Sequence, residues 1–269
     1  MAHEEIVVEP DDPRLADYRD LRDGARRERA GTFVAEGPTV VRALLASPRL
    51  RTRSVLVSAA GRAHLADVLD PLGREVPVYV VPDALIRAVV GFAFHRGCLA
   101  VGERGPDAAL EAFLGARLLV GLEELRAPDN VGGVVRNAHA FAADGVLLSP
   151  GCCDPLSRKA IRLSGGAALA LPVARIADWP AALTRLRAAG FTLVALTPHA
   201  PAVDVARFAS APPSRVVLLL GTEGEGLTAA TLAAADVAVR VPLRAGVDSL
   251  NVATASGIVL HRLARGPLG

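Results

Sequence analysis

Cysteine is scarce in this chain of 269 residues, and its placement argues against disulfides and against a metal site. Only Cys98, Cys152 and Cys153 are present, and the last two are adjacent, which is a poor geometry for a mutual disulfide. A sparse, odd set of thiols is typical of a reducing compartment. No CxxC or HxxxH pattern stands near the adjacent pair. We therefore expect reduced, buried thiols and no bound metal.

Long apolar runs are also missing, although 51% of the residues are hydrophobic. No run of about eighteen apolar residues occurs, which predicts no membrane span. The first residues, MAHEEIVVEPDDPR, are acidic and contain no apolar signal region, so a cytoplasmic protein is expected. The formal net charge of +2, with Lys159 as the only lysine, neither requires nor excludes a nucleic-acid partner.

Strand-like and helical patterns alternate in the first 105 residues, which predicts a small α/β domain. A short polar segment, 103–107, contains Gly and Pro and is typical of an inter-domain linker. The length also favours two domains. The predicted domains are 1–105 and 106–269. The predicted strands of the first domain are 54–57, 78–81 and 97–101, and its predicted helices are 60–72 and 83–90.

Four arginines near the N-terminus recur at spacings of three and four, so the pattern predicts that they line one face of a helix over 13–30. Acidic residues lie among them. The stripe can bind RNA phosphates, or it can be a solvated helix face laced with ion pairs. Both interpretations are open at this point. The four residues are Arg19, Arg22, Arg26 and Arg29.

The second domain alternates near-continuous apolar strands with helices, which predicts a mostly parallel sheet with helices on both faces. Ligands bind such sheets at the carboxyl ends of the strands. Three polar or glycine-rich stretches follow predicted strands there. The predicted strands are 117–122, 145–148, 171–175, 192–196, 216–221 and 237–241, and the helices between them are 130–142, 157–163, 179–189 and 228–235.

The first stretch begins a helix for which Asp129 or Asn130 is predicted as the N-cap. Gly132 and Gly133 would each cost about 1 kcal/mol relative to alanine within a helix. A close approach of a ligand or of another backbone would explain them. Arg136 would project beside that approach, or it is an ordinary exposed arginine.

The second stretch, Gly221–Leu227, is a glycine-rich loop that follows a buried strand. It matches neither GxxxxGK[ST] nor GxGxxG, so it is not a nucleotide P-loop and does not fit a dinucleotide fingerprint. Glu223 and Glu225 argue against direct phosphate binding. A cationic or hydroxyl-bearing ligand fits better.

The third stretch is the C-terminal strand, turn and helix. Pro242 ends the strand, and Asp248 or Ser249 is predicted to cap a helix running to about Leu263. Small residues in this helix permit the close approach of another backbone. Its start exposes N–H groups beside Ser249 and Asn251. That start can hold a polar ligand or be an ordinary capped terminus.

Together these stretches resemble the signature of the SpoU family of RNA 2′-O-ribose methyltransferases, in the SPOUT superfamily. A departure is Val241, where isoleucine is usual. The segments FVAEGPTVVRALL and FHRGCLAV resemble the RNA-recognition domain that many members carry. The three matching blocks are N-x-G-x-x-x-R-x-A at Asn130, Gly132, Arg136 and Ala138, LGxEGxG at Gly221, Glu223, Gly224 and Gly226, and IP…SLNV at Pro242, Ser249, Leu250, Asn251 and Val252.

The resemblance implies a catalytic domain with a deep trefoil knot, which general folding rules would not propose. It implies S-adenosyl-L-methionine, held chiefly by backbone groups, a ribosomal or transfer RNA substrate, and a homodimer with the site near its interface. The implied catalytic residues are Asn130, Arg136, Glu223, Ser249 and Asn251. The implied cofactor contacts are Gly221, Val241, Leu250 and Asn251, with Thr197 after strand 192–196 as a further candidate. The arginine stripe would then bind RNA.

The expected roles follow from the chemistry of each group. Arg136 stays protonated, so we expect it to hold a phosphate and lower the pKa of the ribose hydroxyl, although the family's matching arginine has been proposed as a base. Asn130 would orient Arg136 or the ribose, and Glu223 would fix the glycine-rich turn and neutralise Arg136. Ser249 and Asn251 would position the ribose.

Two other functions are weighed against this one. A catalytically inactive RNA-binding member of the fold would not need all five implied catalytic residues. A small-molecule enzyme with an ordinary doubly wound fold is disfavoured, because the sequence contains no dinucleotide-binding fingerprint.

Overall fold

The structure is a computed structural model, in which the chain folds into two compact units. The first contains Met1–Pro106 and Leu156–Ala170, and the second contains Asp107–Pro155 and Leu171–Gly269. For Ala25 and Arg26 only the backbone is described. The described residues are 3–19, 21, 24–91, 97–199 and 201–264.

The first unit is built on a five-stranded mixed sheet with the order β1-β4-β3-β5-β2. Strands β1, β4 and β3 are parallel to one another, and β5 pairs antiparallel with both β3 and β2. The sheet agrees with the predicted small α/β domain, although the predicted strands account for only three of its five; those at 3–6 and 32–36 were not predicted. The strands are β1 His3–Ile6, β2 Thr32–Glu36, β3 Arg51–Val57, β4 Pro77–Val80 and β5 Cys98–Glu103.

Apolar side chains bury both faces of this sheet. One cluster contains Tyr18 and Ile86, and the other contains Phe33, Ile161 and Leu169. Ile161 and Leu169 explain why the segment 156–170, which the sequence placed inside 106–269, groups with the first unit. The helices of this unit are a 3-10 helix at Pro13–Tyr18, α1 Gly24–Arg29, α2 Pro38–Leu45, α3 Ala59–His64, α4 Ala66–Leu69, α5 Asp83–Val90 and, from the later segment, α7 Arg158–Leu163 and α8 Ala167–Ala170.

The second unit contains a seven-stranded sheet in the order β10-β12-β9-β11-β6-β7-β8. Every pairing in it is parallel, which confirms the predicted parallel sheet. The strands are short apolar runs, as expected for strands covered on both faces. They are β6 Leu118–Leu122, β7 Gly145–Leu148, β8 Val173–Arg175, β9 Thr192–Leu196, β10 Val203–Asp204, β11 Val216–Leu220 and β12 Val237–Arg240.

Helices cover both faces of the second sheet. On one face Trp179 and Leu183 pack in a cluster with Leu119 and Leu219. Residues that alternate with these along the strands, such as Val120, point to the other face and are also fully buried. There α6 and α12 pack against each other. The helices are a 3-10 helix at Leu110–Phe113, α6 Pro128–Ala140, α9 Trp179–Ala188, α10 Val205–Ala209, α11 Ala229–Ala234 and α12 Val252–Leu263.

The strand order brings four loops to one edge of the second sheet. Because β12, β9, β11 and β6 are parallel neighbours, their carboxyl ends lie side by side. The three stretches singled out in the sequence follow β6, β11 and β12 and therefore begin at this edge. The trefoil knot stays a prediction. Among the described residues, each helix is too short or too polar to cross a membrane.

Candidate active site

Predicted cofactor contacts begin three of the loops at the carboxyl edge. Thr197 follows β9, and its backbone N–H donates to Val239 O at 3.0 Å. Gly221 follows β11, and Val241 follows β12. Thr197 and Val241 are half-buried, whereas Gly221 is buried. The fold thus brings together residues that are far apart in the chain, as the resemblance requires.

The glycine-rich loop folds back onto the end of its own strand. Thr222 and Gly226 exchange backbone hydrogen bonds of 3.1 and 3.2 Å. A Cβ at Gly221 would overlap the carbonyl group of Gly226, so any side chain at this position would prevent closure. Gly224 and Gly226 have φ of +98° and +74°, values that favour glycine. The tight closure leaves Glu223 exposed at the tip of the loop.

Asn251 is the side chain that joins the three stretches. Its Nδ2 donates to Asn130 Oδ1 at 2.9 Å and to Glu223 Oε1 at 2.8 Å. Its Oδ1 accepts from the N–H groups of Ala253 at 2.9 Å and Thr254 at 3.3 Å. Both amide hydrogens and both lone-pair directions are therefore used within the protein. Asn251 positions its neighbours, and it has no donor left for a ribose.

Asn251 is also the N-cap of α12, so the predicted cap at Asp248 or Ser249 was wrong. A cap at either residue would begin the helix two or three positions earlier and carry the Asn251 side chain away from Asn130. Ser249 instead lies exposed in the segment before the helix, and Leu250 is half-buried beside it.

Asn130 lies in the first turn of α6 and does not cap it. The N-cap is Ala127, which makes no side-chain cap, and Pro128 begins the helix, so the predicted cap at Asp129 or Asn130 was wrong. Asn130 is only 5% exposed. Its Oδ1 is used by Asn251, whereas its Nδ2 has no hydrogen-bond partner in the described part of the chain. The Nδ2 atom itself reaches solvent, so water or a ligand can accept a hydrogen bond from it.

Arg136 lies further along α6 and is exposed. Among the described residues its guanidinium makes no ion pair or side-chain hydrogen bond. The expected neutralisation of Arg136 by Glu223 is not formed, because Glu223 accepts from Asn251 instead. Arg136 is therefore a cation available to an external anion, and its catalytic role stays a prediction.

Gly133 of α6 is explained by the packing of α12. A Cβ at Gly133 would lie 2.7 Å from the Cβ of Ala253, and one at Gly257 would lie 3.1 Å from Asn137 Nδ2. Asn137 Nδ2 also donates to Ala253 O at 2.6 Å and to Ser256 Oγ at 3.1 Å. The close approach predicted from the sequence is thus a helix–helix contact. Several small residues of α12 serve this contact within the chain.

Glu123 is a site residue that the sequence did not single out. It follows β6, is 5% exposed, and accepts hydrogen bonds from Thr228 N at 2.8 Å, Thr228 Oγ1 at 2.9 Å and Thr231 Oγ1 at 2.5 Å. Thr228 directly follows the glycine-rich loop, so Glu123 anchors the end of that loop. The available signal was a carboxylate placed directly after an all-apolar strand.

The arginine stripe is not one helix face. Arg19 ends the 3-10 helix Pro13–Tyr18, where its guanidinium donates to the carbonyls of Pro10 and Asp12, and Arg29 ends α1. The predicted continuous helix over 13–30 was wrong, because the chain satisfies Arg19 locally and restarts at Gly24. Arg22 lies outside the described residues, as does the side chain of Arg26.

Cys98, Cys152 and Cys153 form no disulfide; Cys98 is buried, whereas the other two are half-buried rather than buried as predicted. Burial raises the pKa of Cys152, whose thiol donates to Leu122 O at 3.2 Å. A raised pKa keeps the thiol protonated at neutral pH and disfavours a nucleophilic role.

Comparison with known proteins supports the resemblance. The model of the SpoU rRNA Methylase family matches residues 117–261. The chain is 41% identical over 266 residues to an uncharacterized tRNA/rRNA methyltransferase of Mycobacterium bovis, covering 96% of this chain and 91% of the relative. It is 28% identical over 252 residues to the 23S rRNA (guanosine(2553)-2′-O)-methyltransferase RlmP of Bacillus subtilis, covering 93% and 95%.

A solved structure shares the architecture over nearly the whole chain. It is an AdoMet-bound rRNA methyltransferase of Sinorhizobium meliloti, with a TM-score of 0.81 and 27% identity, covering 97% of both chains. The family match spans more than half of the chain and contains every predicted catalytic residue, from Asn130 to Asn251. The chain therefore belongs to the SpoU rRNA methylase family of RNA methyltransferases.

Proposed function

We propose that this protein transfers a methyl group from S-adenosyl-L-methionine to a ribose 2′-hydroxyl of ribosomal or transfer RNA. The observation that carries the proposal is the Asn130–Asn251–Glu223 junction, which leaves the amide nitrogen of Asn130 and the carboxylate of Glu223 accessible to a ligand at the carboxyl edge of the sheet. The names of the Bacillus subtilis and Sinorhizobium meliloti relatives support the 2′-O position and the cofactor.

The residues at this edge fit such a cofactor. The loops after β9, β11 and β12 present backbone groups, and a Cβ at Gly224, Gly226 or Gly246 would meet no atom within 4 Å, so there is open space beside them. S-adenosyl-L-methionine supplies a methyl group on a positively charged sulfur. The Glu223 carboxylate offers the opposite charge nearby. Thr197, Gly221, Val241 and Leu250 are the residues that would line the site.

Arg136 and Asn130 have different roles in this proposal. The exposed Arg136 holds an RNA phosphate through its planar fork and lowers the pKa of the adjacent 2′-hydroxyl by its charge. Asn130 Nδ2 donates to an acceptor on the ligand. Ser249 lies exposed before α12, where its hydroxyl can contact the ribose. Orientation of the hydroxyl behind the methyl group supplies much of the rate.

The proposal includes RNA binding by the first unit, catalysis by the second, and a homodimer in the cytoplasm. Deleting 1–105 would be a poor test, because it would expose Ile161 and Leu169, which are buried in the core of the first unit. The exposed Arg29 is a cleaner probe. Arg29→Ala should weaken RNA affinity and reduce its salt dependence without altering cofactor affinity. Light scattering should give twice the chain mass.

The decisive experiment has two readouts. Calorimetry should show binding of S-adenosyl-L-methionine that EDTA does not abolish. Labelled methyl groups should then enter ribosomal or transfer RNA at positions that resist alkaline hydrolysis, because a methylated 2′-oxygen cannot attack the neighbouring phosphate. Binding without transfer to either RNA would favour the inactive RNA-binding member. Label at an alkali-sensitive position would place the methyl group on a base.

A further inference from the structure

A cleft of about 290 Å³ lies in the second unit, on the sheet face covered by α9 and α11. It opens at the carboxyl ends of β6 and β7, where Glu124 and Pro150 line it. The residues proposed for methyl transfer do not line it. Its size is at the lower end of small-molecule pockets, ~300 Å³, which suits one compact ring system.

The floor of the cleft is a closed hydrogen-bond network. Trp179 Nε1 donates to Thr231 Oγ1 at 3.3 Å, and Thr231 Oγ1 donates to Glu123 at 2.5 Å. Glu123 also accepts twice from Thr228. These groups satisfy one another, so the floor is rigid and has little capacity for a polar ligand.

Glu124 is the polar group that remains available. Its backbone has φ of +51°, rare for a side-chain-bearing residue, and its N–H donates to Ser149 Oγ at 2.9 Å. The side chain is 47% exposed, and its ion pair with Arg126, at 3.0 Å, involves a side chain that is 75% exposed. Exposed pairs contribute about 0–1 kcal/mol, so a better donor can replace Arg126. Pro180 and Leu183 are apolar residues of the same lining.

We propose that this cleft binds an unpaired guanine base of the RNA substrate. A carboxylate accepts two parallel hydrogen bonds, and guanine offers N1–H and N2–H side by side on one edge. The apolar faces of the base then lie against the Pro150, Pro180 and Leu183 walls. An RNA phosphate is disfavoured by two carboxylates, Glu123 and Glu124. The inference rests on the proposed function, because the base belongs to the RNA that is methylated.

The chain's single tryptophan provides the probe, since Trp179 lines the cleft. The full chain labelled with 5-fluorotryptophan gives one fluorine resonance, which is followed during titration with guanosine. We expect a saturable shift. The analogue 1-methylguanosine lacks the N1–H donor and should bind roughly tenfold more weakly or worse.

A pair of matched variants tests the carboxylate. Glu124→Gln should lose the preference for guanosine over 1-methylguanosine. Glu111→Gln alters an exposed glutamate paired with Arg185 outside the cleft and should keep it. Equal binding of the two nucleosides by the unaltered protein would overturn the proposal without reference to any variant, as would an unchanged preference in Glu124→Gln.

Competing ligands give further opposing outcomes. Displacement of guanosine by S-adenosylhomocysteine would show that the nucleoside sits in the cofactor site, which overturns the proposal. A shift with N-acetylarginine amide but none with guanosine would assign the cleft to a basic side chain of a protein partner. Guanosine binding in a protein that fails to methylate RNA would contradict the proposed function and leave the guanine site standing.

Discussion

Replacement of Asn251 tests the centre of the site, because this one side chain caps α12 and ties Asn130 to Glu223. Asn251→Ala removes the cap, which costs about 1 kcal/mol. It also leaves the carbonyl oxygen of the buried Asn130 without its donor, at about 1–3 kcal/mol. Glu223 is exposed and regains water, so it adds little. The free energy of unfolding should fall by about 2–4 kcal/mol.

Two further substitutions separate the capping role of Asn251 from its hydrogen bonds to Asn130 and Glu223. Asn251→Ser keeps an oxygen that caps well but loses the amide donor, so it should recover about 1 kcal/mol relative to alanine. Asn251→Asp also keeps the cap, but it places a carboxylate about 3 Å from the Glu223 carboxylate. That repulsion should push the glycine-rich loop away and lower cofactor affinity more than serine does.

Urea denaturation measures the free energy of unfolding, and calorimetry with S-adenosyl-L-methionine measures the cofactor affinity. Asp178→Ala is the control, because it removes the cap of α9 from Ala181 N and should cost stability without changing cofactor affinity. Wild-type cofactor affinity in all three Asn251 variants would refute the idea that the hydrogen bonds of Asn251 to Asn130 and Glu223 shape the site. Equal stability of the serine and alanine variants would refute its role as a cap.

Three other substitutions have defined outcomes. Arg136→Ala should lower turnover by about 10²–10³-fold with little change in cofactor affinity, and Arg136→Lys should recover part of the lost turnover. A near-normal rate for the alanine variant in single-turnover assays would contradict the role of the charge. Gly221→Ala should abolish cofactor binding measured by calorimetry, because its Cβ would overlap Gly226. Gly115→Ala is the control and should bind the cofactor normally, because its Cβ would meet no atom within 4 Å. Cofactor binding by Gly221→Ala would show that the loop can move aside. Glu123→Gln should lower the free energy of unfolding, measured in urea, by about 1–3 kcal/mol, because the amide nitrogen would be a donor placed against hydroxyl and N–H donors. An unchanged midpoint of urea unfolding would argue against the anchoring network.

The architecture of the second unit could be predicted because its signals are local. Apolar runs of strand length, each followed by a helical pattern, require parallel pairing with crossovers. Parallel pairing places the carboxyl ends of all strands at one edge of the sheet, so site residues that directly follow neighbouring strands lie near one another. That is why the sequence alone located Thr197, Gly221 and Val241 correctly at this edge.

The errors fall where side-chain hydrogen bonds override helix periodicity and capping preference. Asp248 and Ser249 are good capping residues, but Asn251 caps α12 because its amide also meets Asn130 and Glu223 from other parts of the chain. The spacing of the N-terminal arginines fits a helix, yet carbonyl groups of Pro10 and Asp12 hold the Arg19 side chain at the end of a 3-10 helix. Local propensity differs by about 1 kcal/mol between such choices, so one side-chain hydrogen bond can reverse it.

By itself the sequence predicted most strands and helices of the second unit in their order along the chain, and the edge of the sheet at which polar residues gather. It did not predict the strands at 3–6, 32–36 and 203–204. The tertiary structure decided which partner each segment meets: α12 against Gly133, Gly226 against Gly221, and Glu123 against the threonine after the glycine-rich loop. The physical reason is that backbone periodicity is set by neighbours in the chain. Hydrogen bonds and close contacts between distant segments are set only once the sheet has brought those segments together.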